Sequence, residues 1–196
     1  MSEIEKIFTI KSNSLKPKKG KLLLSEPLMG DYYFGRSVVL LVEHNQEGSF
    51  GVIMNKPVTA NFNDVIKDFP KFDTKIFIGG PVEVNKLFYV HTLGDKIKNA
   101  IEIGNGVYWG GDLESVKEMV YLGIASNDNI RFFIGYSGWG AEQLETELKK
   151  NSWIITNIES DLCFKTRPTE MWERFMSKMG GKYLHWTKYP ADPGLN

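Results

Sequence analysis

Residues 135–140, with the sequence GYSGWG, come nearest in this chain to a motif that could do chemistry. They follow an apolar stretch at residues 130–136 and precede a segment at residues 141–150 that has helical spacing. A strand that breaks at glycines and restarts as a helix can present backbone N–H groups or a side chain at a cleft. Ser137 stands between the predicted strand and the predicted helix, where the nucleophile of a nucleophile elbow would stand.

The spacing around Ser137 does not support that chemistry. A nucleophile elbow has a second glycine two residues after the serine, because the turn there is strained, and this chain has Trp139 instead. We therefore interpret Ser137 as a residue that caps the next helix or bonds to the backbone. Trp139 is either a core residue or a platform on which a ligand stacks, and we favour the core.

Histidine and cysteine supply few further candidates. The histidines are His44, His91 and His185, and they lack the close, regular spacing of a zinc site. We interpret His44 and His91, in predicted strands, as hydrogen-bonded structural residues. Glu43 could be an acid or base beside His44, but neighbours in a strand point to opposite faces, so the two should not share a site. The single cysteine, Cys163, has apolar neighbours and should be buried and unreactive.

Two further runs control the path of the backbone, NKP at residues 55–57 and GGPV at residues 79–82. The glycines permit a positive φ or a close chain approach, and proline fixes the exit. Such a turn could present amides to an anion or a partner, or it could reverse the chain between packed strands, and we favour the reversal. In the following helix, Gln143 and Glu147 are one turn apart and share a face.

These runs supply the residues that could meet a ligand. No nucleophile, base and orienting residue form a coherent set in the sequence, so we predict no catalytic residue, no metal ligand and no cofactor. The candidate binding residues are Asn55, Gly80, His91, Trp139 and Gln143.

Composition narrows the class of protein. The chain has 196 residues, with 24 Lys and Arg against 24 Asp and Glu, so no net charge attracts nucleic acid or an anionic membrane. Basic clusters at residues 16–21 and 178–188 could bind single strands, but such runs are more often solvated ends. One cysteine, no secretory signal in residues 1–14 and no apolar run longer than residues 38–42 predict a soluble, cytoplasmic protein.

The pattern of apolar residues predicts about seven strands and four helices in an α+β arrangement. The continuously apolar strand at residues 37–44 and a strand at 49–55 should form a hairpin around the turn at 45–48. Helices are expected at residues 61–69, 112–122, 141–150 and 169–179, with an irregular tail from residue 183. We predict a flexible arm over residues 1–18 and a single domain over residues 19–196.

Taken together, these runs resemble the AlgH/YqgE family of bacterial proteins. The resemblance extends from about Lys19 to the tail. It is carried by GKLL at 20–23, RSVVLL at 36–41, EH at 43–44, GVIMNKP at 51–57, GGPV at 79–82, LF at 87–88, GW at 138–139, QLE at 143–145 and NSW at 151–153. The resemblance implies a mixed, largely antiparallel, bifurcated sheet folded as a pseudo-barrel with about four flanking helices. It also implies an unsettled function, with a role in transcriptional regulation proposed but no recognised DNA-reading module.

The leading hypothesis is a non-catalytic binding or regulatory protein with an unknown protein or small-molecule partner. The alternative is an enzyme that acts on a nucleotide or phosphorylated metabolite and gathers polar residues from separate segments, among them His44, His91, Asn55 and Glu145. A third hypothesis is an indirect gene regulator. Family members commonly have alanine at the position of Ser137, which weakens a nucleophile there further.

Overall fold

The computed structural model describes residue 11 and residues 13–189 as an α+β fold in which ten strands form one curled, half-barrel sheet. The strands are β1 (Lys21–Ser25), β2 (Val38–Asn45), β3 (Gly48–Ile53), β4 (Pro57–Asn61), β5 (Lys75–Ile78), β6 (Val82–His91), β7 (Ile101–Gly104), β8 (Val107–Trp109), β9 (Ile130–Gly140) and β10 (Trp153–Asn157). The α-helices are α1 (Phe62–Val65), α2 (Leu113–Tyr121), α3 (Gln143–Lys149), α4 (Ser160–Lys165), α5 (Pro168–Met179) and α6 (Gly181–Trp186).

The sheet divides at β9, which confirms the predicted bifurcation. The first part of β9 pairs in parallel with β5 on one side and antiparallel with β6 on the other. Its last residues, 137–140, pair antiparallel with β3. The strand order is β10-β1-β2-β3-β9-β6-β8-β7, with β4 joined to β5. One long strand therefore holds the two halves of the molecule together.

The predicted break after Tyr136 is wrong, because β9 continues to Gly140 and α3 begins only at Gln143. Pairing with β3 provides hydrogen-bond partners along this stretch, so the backbone stays extended. Ser137 is buried within the strand, and its Oγ donates to the Gly79 carbonyl at 2.9 Å. This confirms that Ser137 bonds to the backbone, and it does not cap a helix.

The predicted helix at residues 61–69 is also wrong in length, since α1 ends at Val65. Asn61 is its N-cap residue, and the backbone N–H of Asn61 donates to the side chain of Asp64 at 3.3 Å. The side chain of Asn63 then accepts from the N–H of Phe72 at 2.7 Å and donates to the carbonyl of Pro70 at 3.0 Å. Such local bonds compete with helix formation and fold the chain back toward β5.

The elements that the sequence did not predict are short. They are β4, β7, α4 and α6, each of four to six residues, which is too short for a clear periodic pattern. The tail was expected to be irregular from residue 183, yet α6 runs to Trp186, whose side chain is completely buried. Residues 190–196 and most of the predicted arm at 1–18 lie outside the described residues, so the domain boundaries stay a prediction.

Burial is greatest in the strands that read as continuously apolar. Residues 38–41 of β2 are completely buried because packed side chains cover both faces of the sheet, as predicted. The hairpin of β2 and β3 closes with Asn45 opposite Gly48, at the predicted turn. Cys163 is buried, and burial raises the pKa of its thiol to about 12, which confirms an unreactive cysteine. None of the described helices combines the length and the apolar character that a bilayer crossing needs.

Candidate functional site

Four aromatic side chains from neighbouring strands line a cavity of about 510 Å³, which we call the aromatic trough. The rings belong to Phe50 on β3, Phe88 on β6, Trp109 on β8 and Tyr136 on β9. They are adjacent because β3, β9, β6 and β8 are consecutive in the sheet. All four are half-buried and pack against the main core cluster, so the sheet and the core fix their positions.

The four rings contact one another in a closed circuit. Phe88 and Trp109 are stacked, with centroids 5.5 Å apart and planes at 21°. The contacts Phe50–Trp109, Phe50–Tyr136 and Phe88–Tyr136 are edge-to-face, at 5.7, 5.8 and 5.8 Å. Such pairs stabilise each other by about 0.5–1.5 kcal/mol beyond their burial. The trough is therefore a preformed aromatic surface.

The GYSGWG run contributes Tyr136, Gly138 and Trp139 to this site. Gly138 lies opposite Phe50, and a Cβ on it would come within 3.3 Å of Cε2 of Tyr136. The missing side chain thus leaves room for the Tyr136 ring. Trp139 lines the cavity although its side chain is only 6% exposed. Trp139 is therefore a core residue, the role favoured for it, and it also borders the cavity.

Behind Trp139, the carboxylate of Glu147 accepts three side-chain hydrogen bonds. The indole N–H groups of Trp139 and Trp153 donate to Oε2 at 2.9 and 2.7 Å. Gln143 donates to Oε1 at 3.0 Å, and its own Oε1 accepts from the N–H of Gly140. Gln143 and Glu147 share a face of α3, as predicted. This network joins α3 to the end of β9 and holds Trp139 at the wall of the trough.

The rim of the trough is acidic. Glu43, Glu47 and Glu83 line it, and among residues 13–189 no Lys or Arg does. Glu83 pairs with Lys86 at 2.6 Å on the exposed surface, where the ion pair is screened by solvent. Asn45 orders the hairpin that carries two of the acids, since its Oδ1 accepts from the N–H of Glu47 at 2.8 Å. Aromatic faces and carboxylates both attract cations, so the site has the chemistry of a cation-binding surface.

A chain of polar side chains ends at the edge of the trough. His44 Nδ1 lies 2.7 Å from Ser49 Oγ, and its Nε2 lies 3.5 Å from Glu145 Oε1. His44 was interpreted from the sequence as structural, and was grouped with Glu145, His91 and Asn55 only in the alternative hypothesis of an enzyme. The structure joins His44 to Glu145 of α3 and to Ser49 of β3, which the sequence did not single out, whereas His91 and Asn55 bond to other groups. Hydroxyl, imidazole and carboxylate in this order are the parts of a nucleophilic set. However, Ser49 pairs with strands on both sides and is 8% exposed, which restricts approach to its Oγ.

The other predicted site residues lie away from the trough. His91 is completely buried, stacks on Tyr108, and accepts from the N–H of Leu93 through Nδ1, so Nε2 donates to the Gly110 carbonyl at 3.0 Å. Burial lowers the pKa of His91, although the bond to Gly110 opposes this. Both ring nitrogens are thus occupied, as expected for a structural histidine.

Gly80 and Asn55 have backbone roles as well. A Cβ on Gly80 would lie 2.3 Å from the carbonyl of Tyr136, and its φ is +154°, so the turn between β5 and β6 requires glycine. This is the predicted chain reversal, since both strands pair with β9. Asn55 is 7% exposed, and its amide bridges the N–H of Val38 and the carbonyl of Arg36, both at 2.9 Å. Asn55 also lines a second cavity, which is described below.

The residues that sequence analysis missed are aromatic and acidic. Phe50, Phe88 and Trp109 read as ordinary strand residues, and only their meeting in one cavity distinguishes them. The one available signal was Leu87-Phe88 among the runs that carry the family resemblance. Strand pairing between distant segments brings the rings together, and that pairing is not encoded in local spacing.

Known proteins with a similar sequence cover nearly the whole chain. A family model described as AlgH-like (DUF179) matches residues 22–184. A UPF0301 protein of Bacteroides fragilis is 44% identical over 191 residues, covering 97% of both chains. A UPF0301 protein of Cytophaga hutchinsonii is 46% identical over 179 residues, covering 91% of this chain and 98% of its own.

Solved structures with a similar fold agree with these matches. The solution structure of the AlgH protein from Pseudomonas aeruginosa has a TM-score of 0.68 and 26% identity, and the match covers 92% of this chain and 98% of that one. A crystal structure of a Corynebacterium diphtheriae protein has a TM-score of 0.75 at 22% identity, covering 91% and 95%, and shows the shared fold alone.

Proposed function

The chain belongs to the AlgH-like family, and from this premise we propose that it is a non-catalytic binding protein whose aromatic trough holds a cationic side chain of a partner protein. Membership confirms the resemblance drawn from the sequence, but the family name specifies no activity. The proposal therefore depends on the site.

The observation that supports the proposal is the meeting of four mutually contacting aromatic rings with three rim carboxylates, in a cavity that no Lys or Arg of the described residues lines. A Lys ammonium or Arg guanidinium over an aromatic face gains about 0.5–1 kcal/mol when exposed, and about 2 kcal/mol when desolvated. The acidic rim adds long-range attraction and disfavours anionic partners. A basic segment of another protein would place its aliphatic stems on the rings and its charges against Glu43, Glu47 and Glu83.

The test uses peptides that differ in charge but not in shape. Tetra-arginine should bind in isothermal titration calorimetry at least tenfold more tightly than tetra-citrulline, its neutral isostere. Replacing the three rim glutamates by glutamine should remove that preference. The matched control replaces three exposed glutamates elsewhere, at Glu114, Glu118 and Glu173, with the same change in net charge. Equal binding of both peptides, or an equal loss in the control variant, would overturn the proposal.

A second candidate function is enzymatic, and the Ser49–His44–Glu145 chain is the observation that favours it. In that case Ser49 Oγ would attack an acyl carbon or phosphorus and displace its leaving group, while His44 takes the hydroxyl proton and passes it to that leaving group. A fluorophosphonate probe that labels the protein, and fails to label the Ser49→Ala and His44→Gln variants, would establish a reactive serine. A protein that stays unlabelled at long reaction times would leave the binding function as the stronger hypothesis.

A role in transcription stays a prediction that comes only from the resemblance. Direct DNA binding would be salt-dependent, because phosphate contacts release counterions. A gel shift that is absent even at low salt would restrict any such role to an indirect one, exerted through the partner that the trough binds.

A further inference from the structure

A second cavity, of about 540 Å³, lies where the loop at residues 31–36 meets the connection between β3 and β4; we call it the cationic cleft. Its lining residues are Tyr32, Tyr33, Arg36, Asn55, Lys56, Pro57, Ile78 and Thr169. They include two cations, two phenols, an amide and a hydroxyl, and no carboxylate from the described part of the chain lines the cavity. A cavity of this volume is in the range of sites for small molecules and cofactors.

Arg36 brings a constrained positive charge to the cleft. Its φ is +50°, which is uncommon for a residue other than glycine. The guanidinium lies over the ring of Trp172, 5.0 Å from the centroid, and donates to the carbonyl of Tyr189. Its Nε–H is buried and meets no acceptor among the described residues. A buried donor without an acceptor costs free energy, and a bound oxyanion would supply the acceptor.

Lys56 adds a second cation. Its Nζ donates to the carbonyl of Gly35 at 2.6 Å, which ties it to the loop that carries Arg36. Burial lowers the pKa of Lys56, because the charged ammonium is partly removed from water. An anion in the cleft would act in the opposite direction and favour the charged form.

Asn55 joins the segment that carries Lys56 to the loop that carries Arg36. It bridges the carbonyl of Arg36 and the N–H of Val38, at 2.9 Å each, and it directly precedes Lys56. We therefore regard Asn55 as a positioning residue for the cleft.

Neither cation is neutralised by the part of the chain that the structure describes. No carboxylate in residues 13–189 forms an ion pair with Arg36 or Lys56. The nearest acid in sequence, Asp31, is occupied within the loop, where its Oδ1 accepts from the N–H groups of Tyr33 and Phe34 at 2.8 and 2.9 Å. Two charges thus share an acid-free cavity, which favours an anionic ligand.

The aromatic part of the cleft is open. Tyr32 is 83% exposed and stands edge-to-face to Tyr33, with ring centroids 5.3 Å apart. An exposed ring beside two cations is the combination that recognises a planar base joined to a phosphate. We propose that the cationic cleft binds a nucleotide, with Arg36 and Lys56 holding the phosphate and Tyr32 stacking on the base.

The experiment compares AMP with its two parts, inorganic phosphate and adenosine, by calorimetry on the full chain. AMP should bind with one site per chain, at least tenfold more tightly than either part, since the cleft contacts both ends of the ligand. Lys56→Met should weaken AMP binding at least tenfold, and Lys149→Met, on the exposed face of α3, should leave it unchanged. Tyr32→Ser should remove the advantage of AMP over phosphate.

Three results would overturn the proposal. They are the absence of saturable AMP binding, phosphate binding as tight as that of AMP, and equal losses in the two lysine variants. The exposed Tyr32→Ser variant keeps the test decisive if Lys56→Met disturbs the loop, because the Tyr32 side chain is largely solvent-exposed. AMP recovered unchanged after long incubation would indicate binding alone, and conversion that Lys56→Met abolishes would instead indicate the enzyme that acts on a nucleotide.

Discussion

The aromatic trough and the cationic cleft have similar volumes, about 510 and 540 Å³, but opposite charge. Carboxylates and half-buried rings that belong to the core line the trough. Two cations without ion pairs and an exposed tyrosine line the cleft. The chain has no net charge, yet one of these cavities is lined by acidic residues and the other by basic residues. A net charge of zero therefore does not exclude charged ligands, because recognition depends on the local charge of a site.

The two regions also differ in how their aromatic side chains are held. The rings of the trough form a closed circuit on four paired strands, so they support the fold as well as a site. The cleft is built on the loop at residues 31–36, and few of its side chains pack in the hydrophobic core. We expect the trough to be rigid and costly to alter, and the cleft to tolerate changes that affect binding only.

The largest expected effect separates the two regions by stability. Trp109→Ala should lower the free energy of unfolding by about 3 kcal/mol, because it removes a ring that packs on two others and on the core. Tyr32→Ala, in the cleft, should change it by no more than about 0.5 kcal/mol, since the side chain is exposed. Urea denaturation of both variants measures the difference, and equal losses would break the distinction.

For a second pair of variants, with a smaller effect, the loss of stability should be greater in the cleft than in the trough. Asn55→Ala, in the cleft, should cost about 2 kcal/mol, because it leaves a buried N–H of Val38 without its acceptor. Asn45→Ala, on the rim of the trough, should cost at most about 1 kcal/mol, since water can replace its bonds to an exposed turn. Thermal unfolding in calorimetry would show this ranking. A milder loss for Asn55→Ala would mean that the loop carrying Arg36 does not depend on that amide.

The smallest effect concerns pH. His91 holds the end of β8, next to Trp109, and burial keeps its pKa below the unfolded value of about 6.5. As the pH falls, His91 therefore becomes protonated in the unfolded chain before it does in the folded protein. The free energy of unfolding should fall as the pH drops below about 6.5, by at most about 1.4 kcal/mol per pH unit. The slope should be absent in His91→Gln, whose amide can still donate to Gly110. Urea titrations at pH 5 to 7 test this, and an unchanged slope would assign the effect to other groups.

Local sequence patterns predicted the elements that rely on their own periodicity. The hairpin of β2 and β3 and the helices α2 and α5 formed as expected, because the apolar spacing and the turn residues act over a few positions. The predictions of a helix over residues 61–69 and of a break after Tyr136 were wrong, because contacts beyond the local pattern decided the structure there. A side-chain bond from Asn63 in one case, and pairing with a distant strand in the other, outweighed the local preference.

The sites were predictable only in part. Of the residues proposed from the sequence, Trp139 borders the trough and Asn55 borders the cleft, and both stand in runs whose residue types control the backbone. The alternative hypothesis grouped His44 with Glu145, but it did not include Ser49 and it wrongly added His91 and Asn55, because the pairing of distant strands decides which segments meet.

By itself, the sequence determined the family, the α+β class, the buried state of Cys163 and the glycine requirement of the turn at Gly80, because residue type and neighbouring spacing act locally. Tertiary structure alone decided which side chains share a cavity. Strand order and register place Phe50, Phe88 and Trp109 around one space, and the loop at residues 31–36 brings Arg36 beside Lys56. Such contacts depend on pairing between segments far apart in the chain, and no short-range pattern specifies that pairing.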